Sequence, residues 1–180
     1  MIPLDPVAGA IVCGGCAWLF GFAAVHKLRS PAQFAGTLSG YRVLPTFLSA
    51  PASVLLPILE GLTALGLLLG RTREAASLLG CGLLVAYAAA MGVNLLRGRR
   101  HLDCGCLGAH QRGRISGALV WRNLLLAPVL AAAGCSRWGV RPWNWLDIGT
   151  TSVAVCAFAL LYTAANGLLA LQARHEARGG

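Results

Sequence analysis

The sequence predicts an all-α, polytopic membrane helical bundle of five transmembrane helices, a four-helix core followed by a C-terminal helix. Three observations carry that prediction. Hydrophobic residues make up 57% of the 180 residues and charged residues only 12%, against roughly 25% charged in an ordinary soluble domain. So little polar surface disfavours both a soluble enzyme and a disordered chain. Five apolar segments reach the length of about 20 residues that a helix needs to cross a bilayer. The 23 glycines recur within apolar runs, where small residues let membrane helices approach closely.

The five spans are expected at about 7–26, 46–69, 75–96, 115–135 and 148–172, together forming a single integral membrane domain over residues 1–180. Each must be helical, because hydrocarbon offers no partner for open backbone groups. The first carries no charge before its end at His26 and Lys27. The second is interrupted by Glu60, and Pro51 and Pro57 are expected to kink or loosen its start. The third holds Asn94 near its end, and the fourth is interrupted by Arg122 beside Asn123. The fifth contains Asn166, expected to make a helix–helix hydrogen bond. The connections are short, so successive helices are expected to pack as antiparallel neighbours. Residues 1–6 lack a positive segment, so a secretory signal peptide is not expected. Trp18, Trp121, Trp138, Trp143 and Trp145 mostly fall near span ends, as interface anchors do.

The formal net charge is +9. No basic segment carries a nucleic-acid-binding motif, so nucleic acid is not an expected partner. The arginines instead flank the spans and report topology. With the N-terminus outside, the inner side holds Lys27, Arg29, Arg42, Arg97, Arg99, Arg100, Arg112, Arg114, Arg174 and Arg178. The outer side holds only Arg71, Arg73, Arg137 and Arg141. That bias predicts a multi-pass protein of the cell (inner or plasma) membrane with a cytoplasmic C-terminus.

The strongest local motif is Asp103-Cys104-Gly105-Cys106-Leu107-Gly108, in the connection between the third and fourth spans. Two cysteines one residue apart close a very small, strained ring that is easily reduced. Gly105 lowers the conformational cost of that ring. Arg97, Arg99, Arg100, Arg112 and Arg114 favour thiolate over thiol. The combination suits thiol–disulfide exchange, but thiolates also select Cu(I), with His101 a further ligand, and an incidental pair in a basic loop stays open. No other metal site is expected. Seven cysteines leave at least one unpaired within the chain. Cys13-Gly14-Gly15-Cys16 puts two sulfurs on one face of the first helix. It reads either as small residues for helix packing or as a secondary redox pair.

Ionisable groups inside spans are expensive and mark functional candidates. Glu60 pairing with Arg122 or Lys27 is one account, and Lys27 snorkelling to the interface another. The sharper account has Glu60, Asn94, Asn123 and Lys27 binding a quinone head group, with His26 and Arg122 serving the thiol chemistry by moving protons and stabilising thiolate.

In order and spacing, several elements resemble the MauE branch of the DoxX/MauE group of small membrane proteins. They are His26-Lys27-Leu28 with Pro31 and Phe34, Tyr41 with Leu44-Pro45, Pro57 with Glu60, Asn94-Leu95-Leu96-Arg97-Gly98-Arg99, the Cys104–Cys106 motif, and Arg122-Asn123. Leu107 stands where that group often has an aromatic residue, and Cys13 and Cys16 lie outside its pattern. The resemblance covers about two thirds of the chain. It implies a redox-associated membrane protein with Cys104 and Cys106 as its reactive pair. MauE proteins are implicated in maturing methylamine dehydrogenase alongside a thioredoxin-like partner, and the wider group is linked to quinone-coupled sulfur chemistry.

The expected function is therefore a membrane thiol–disulfide redox protein. It exchanges electrons between Cys104 and Cys106, a thioredoxin-like or disulfide-containing client protein, and a quinone. The alternatives are a Cu(I)-handling membrane protein and a non-catalytic subunit of a larger membrane complex. Charge counting places the Cys104–Cys106 motif inside, whereas the clients of the group lie outside. Either electrons are relayed across the lipid bilayer or the motif faces outward.

Overall fold

The computed structural model describes residues 4–43, 45–99, 115–139 and 142–178. Among them are six helices: α1 (Pro6–Arg29), α2 (Pro31–Tyr41), α3 (Thr46–Leu68), α4 (Arg73–Leu96), α5 (Gly117–Cys135) and α6 (Trp145–Arg178). All except α2 contain a segment long and apolar enough to cross a membrane. The protein is thus an all-helical, multi-pass membrane protein, as the composition predicts. The short α2 lies between two spans, in a stretch to which the apolar pattern assigns no element.

Helix α1 starts where a capping residue and a proline coincide. Asp5 Oδ1 accepts from the Val7 and Ala8 amides at 2.8 and 3.4 Å, and Pro6, at the first position, has no amide to satisfy. Helix α3 is helical through both Pro51 and Pro57 rather than loosened at its start. Pro57 is fully buried, and the Ser53 hydroxyl donates to the Ala50 carbonyl at 2.7 Å. Packed neighbours and short hydroxyl side chains are how membrane helices absorb prolines.

Helices α1, α3, α4 and α5 form the core, and each meets its neighbour antiparallel. Gly21 sits beside Ala64 and Gly61 beside Ala24, which sets the register of α1 on α3. Gly80 sits beside Leu130 and Gly134 beside Ser77, which sets α4 on α5. One buried cluster runs through all four helices, with Phe20, Leu67, Leu84 and Leu130 among its members. Helix α6 packs on the outside. Gly14 and Gly15 of α1 meet Val155 and Phe158, and Trp18 meets the edge of Tyr162 at 5.9 Å. Both sets of numbers rise together, so α6 runs parallel to α1.

One face of the bundle is tied by backbone and aromatic contacts. The Leu4 amide donates to the Arg137 carbonyl at 3.1 Å and the Gly139 amide to the Leu4 carbonyl at 3.0 Å. Trp138 is half-buried against Gly9, and its Nε1 donates to the Ala133 carbonyl at 2.9 Å. The Arg73 guanidinium lies 3.7 Å from the Trp138 ring centroid, a cation–π contact. Trp138 is thus an internal clasp rather than the interface anchor its position predicts. This is the N-terminal face, and α2 lies toward the opposite one.

The tightest seam is α4 on α5. A Cβ at Gly134 would lie 2.2 Å from the Ser77 Cβ, whereas one at Gly92 would meet nothing within 4 Å. Gly134→Ala is expected to cost about 1–3 kcal/mol by overpacking, and Gly92→Ala to cost little. Thermal unfolding of both variants in detergent checks this, and equal midpoints would contradict the seam as described.

Candidate functional site

The site grows from one charged side chain at the end of α1. Lys27 is two residues from the helix terminus, yet its side chain is only 2% exposed. It does not snorkel. It forms an ion pair with Glu60 of α3, itself 1% exposed. The antiparallel register of α1 on α3 brings the two together, since Ala24 and Gly61 are neighbours one turn away.

A third group closes the cluster. Tyr87 of α4 donates its hydroxyl proton to Glu60 Oε1 at 2.7 Å and accepts from Lys27 Nζ at 3.2 Å. The ammonium also lies 4.6 Å from the Tyr87 ring centroid and 4.9 Å from that of Phe34. Phe34 belongs to α2, which explains what α2 is for. The chain breaks at Ser30 (φ −142°, ψ 63°), and Pro31 starts a new helix. The new direction lays Phe34 over Lys27. Helix α2 ends at Arg42 in the left-handed region, φ 47°, and the Arg97 guanidinium donates to the Arg42 carbonyl at 3.3 Å. Below Tyr87, Tyr41 packs with Met91, Ile115 and Leu119 in a second buried cluster.

The other candidate residues distribute around this core. Asn94 is fully buried on α4, two turns from Tyr87, and its Nδ2 donates to the Ala90 carbonyl at 3.0 Å. Asn123 is buried on α5 and accepts from Arg122 Nη2 at 3.4 Å. The α4–α5 register puts Asn123 level with Tyr87. Arg122 lies over the Tyr162 ring of α6, 5.1 Å from its centroid. Glu60 therefore pairs with Lys27 and not with Arg122. His26 is half-buried beside Lys27 in sequence, and no hydrogen bond joins it to the cluster among the described residues. Glu60 Oε2 and Asn94 Oδ1 are buried and have no hydrogen-bond partner among the described residues.

Cys104 and Cys106, with His101, fall outside the described residues. The helices flanking them are placed: α4 ends and α5 begins at the face opposite the N-terminal one, toward which Lys27 and α2 also lie. Cys13 and Cys16 are 2% and 4% exposed, unlinked, and part of the main core cluster, while Gly14 and Gly15 between them seat α6. The Asn166 side chain is outside the described residues. No group of three or more His, Cys, Asp or Glu that could hold a metal occurs among the described residues.

Sequence reasoning missed Tyr87. The available signal was a demand rather than a motif, because a buried carboxylate needs more than one donor. A tyrosine on the neighbouring span, seven residues from Asn94, is the side chain able to supply it.

Glu60→Ala leaves an unpaired ammonium in the bundle and is expected to cost about 3–5 kcal/mol. Replacing both Lys27 and Glu60 with Met is expected to recover most of that loss. Unfolding of the single and double variants in detergent measures the difference. A double variant as unstable as the single one would show that the two charges do not act as a pair.

The family model described as methylamine utilisation protein MauE matches residues 5–137, from the cap of α1 past the end of α5. A protein named methylamine utilization protein MauE from Paracoccus denitrificans is 34% identical over 161 residues, covering 89% of this chain and 87% of that one. Its namesake from Paracoccus versutus is 36% identical over 157 residues, covering 87% and 84%. The Methylorubrum extorquens protein of the same name is 38% identical over 130 residues, covering 72% and 69%. No solved structure matches the chain.

Proposed function

The chain belongs to the MauE family, and from that premise we propose that it is a membrane thiol–disulfide redox protein serving methylamine utilisation. In this reading Cys104 and Cys106 are the exchanging pair, and the Lys27–Glu60–Tyr87 cluster is the place where a quinone is met. The observation that carries the reading is the burial of that cluster. A bundle gains little stability from a buried ion pair that apolar residues would not supply as well. Ionisable side chains facing a bundle interior are instead the usual mark of a functional site.

The chain's own residues divide the work as follows. One of Cys104 and Cys106 attacks a partner disulfide as thiolate, and the other resolves the mixed disulfide. Arg97 and Arg99, at the end of α4, favour the thiolate. Arg122 adds positive charge at the α5–α6 contact, and His26 moves protons near the cluster. A quinone bound there supplies a two-electron, two-proton couple. Glu60, Lys27, Asn94 and Asn123 hold and orient the head group, and Tyr87 fixes Glu60 Oε1. The orphaned, buried Glu60 Oε2 fits that assignment, since it has unused hydrogen-bonding capacity. The partner is a thioredoxin-like or disulfide-containing client protein, reached from a larger assembly in the membrane. The Lys and Arg bias supports the cell membrane, with the N-terminus outside and the C-terminus cytoplasmic.

Acid-trapped differential alkylation in native membranes tests the thiol step. The Cys104–Cys106 peptide is expected to switch between linked and free forms when a quinone reductant or a dithiol is added. Cys106→Ser is expected to abolish thiol turnover and leave the thermal midpoint unchanged. A pair that stays reduced under every condition overturns the reading. Stoichiometric copper that is lost on Cys104→Ser would replace it with metal handling.

A further inference from the structure

We infer that the buried cluster is an acceptor site for an uncharged hydroxyl, so that it selects the reduced hydroquinone over the oxidised quinone; the inference rests on the quinone-linked reading above. Of the three N–H groups of Lys27 Nζ, which can only donate, one donates to Glu60 Oε1 and one to the Tyr87 hydroxyl, and the third is left among the rings of Phe34 and Tyr87. The Tyr87 proton goes to the same Glu60 oxygen. The three groups bond to one another, and lysine and carboxylate sum to no net charge.

Those bonds leave Glu60 Oε2, on a side chain 1% exposed, buried and without a partner among the described residues. An ionised carboxylate oxygen can only accept. Asn94 Oδ1, fully buried on the next helix, is a second acceptor in the same condition. Three kinds of ligand can be compared against that remainder. An anion meets a carboxylate oxygen and is repelled. A cation gives the buried cluster a net charge, which desolvation penalises. A neutral hydroxyl supplies the missing donor at no charge cost and forms a charge-assisted bond, the strong kind.

A quinone presents two carbonyl oxygens, and one placed at Glu60 Oε2 sets acceptor against acceptor. Its hydroquinone presents two hydroxyls. Selective binding of the reduced form raises the potential of the bound couple, by linkage. The bound couple is then a stronger oxidant than the free one. The favoured exchange takes two electrons and two protons from the Cys104 and Cys106 thiols, forms the S–S bond, and converts quinone to hydroquinone. For a quinone already bound, the site thereby favours electron flow from thiol to quinone.

The test uses the full-length protein in lipid nanodiscs under argon. Three probes are titrated: a short-chain benzoquinone, its hydroquinone, and the dimethyl ether of that hydroquinone. Affinity is read from the concentration dependence of the thermal unfolding midpoint. The hydroquinone is expected to bind about tenfold or more tighter than either of the others, the worth of one hydrogen bond to a charged acceptor. Equal binding of quinone and hydroquinone, tighter binding of the quinone, or an ether that matches the hydroquinone overturns the inference and leaves the quinone-linked reading in place. No binding by any probe overturns both. Glu60→Gln, whose carbonyl faces Lys27 and whose amide nitrogen replaces Oε2, is expected to lose the preference or reverse it toward the quinone. If that variant does not fold, the three probes on the unaltered protein decide.

Discussion

A lysine and a glutamate held together inside an apolar bundle impose a constraint that the surrounding structure is arranged to meet. Each charge taken from water costs several kcal/mol, so neither is tolerated without the other and without further polar or aromatic partners. Tyr87 supplies the hydrogen bonds and Phe34 the ring face. Three separate elements must therefore be in place around α1: α3 for Glu60, α4 for Tyr87 and α2 for Phe34. The break at Ser30 and the left-handed Arg42 are the backbone features that bring α2 into that arrangement.

The two faces of the bundle are held by different means. At the N-terminal face the ties are short-range and specific: the Trp138 clasp, the Arg73 contacts and the Leu4 backbone bonds. Toward the opposite face the buried chemistry gathers, with Lys27, Tyr41, Asn94 and the starting turn of α5. Among the described residues, the Trp138 clasp and the Leu4 backbone bonds of the N-terminal face have no counterpart in kind at the other. That is the end where α2 and the helix termini flanking Cys104 and Cys106 lie.

Much of this architecture was legible in the sequence, because the strongest membrane signal is also the simplest. Long apolar runs can only be helices, and five of them are present. The pairing of Glu60 with Lys27 was one of two options that the spacing allowed; choosing between them needed the register of α1 on α3, which depends on small residues such as Gly21 and Gly61 rather than on charge. Helix α2 was illegible for a different reason. Its 11 residues mix polar and apolar side chains and carry neither a span-length run nor a clear amphipathic stripe. Trp138 was misread because position near a span end predicts an interface anchor, whereas an adjacent glycine at residue 9 offers a seat inside. Tyr87 was hidden because a single tyrosine in an apolar helix is ordinary. Only the demand of its neighbours distinguishes it.

The parallel packing of α6 on α1 sets the last helix apart from the four of the core. The four core helices alternate in direction, so α5 runs back toward the N-terminal face. Helix α6 adds a fifth segment long and apolar enough to cross a membrane, parallel to α1. It does so from the periphery, leaning on Gly14 and Gly15 without entering the main core, and beyond the stretch that the family model matches. The last helix is thus joined to the bundle mainly through α1, with Arg122 over the Tyr162 ring as its tie to α5.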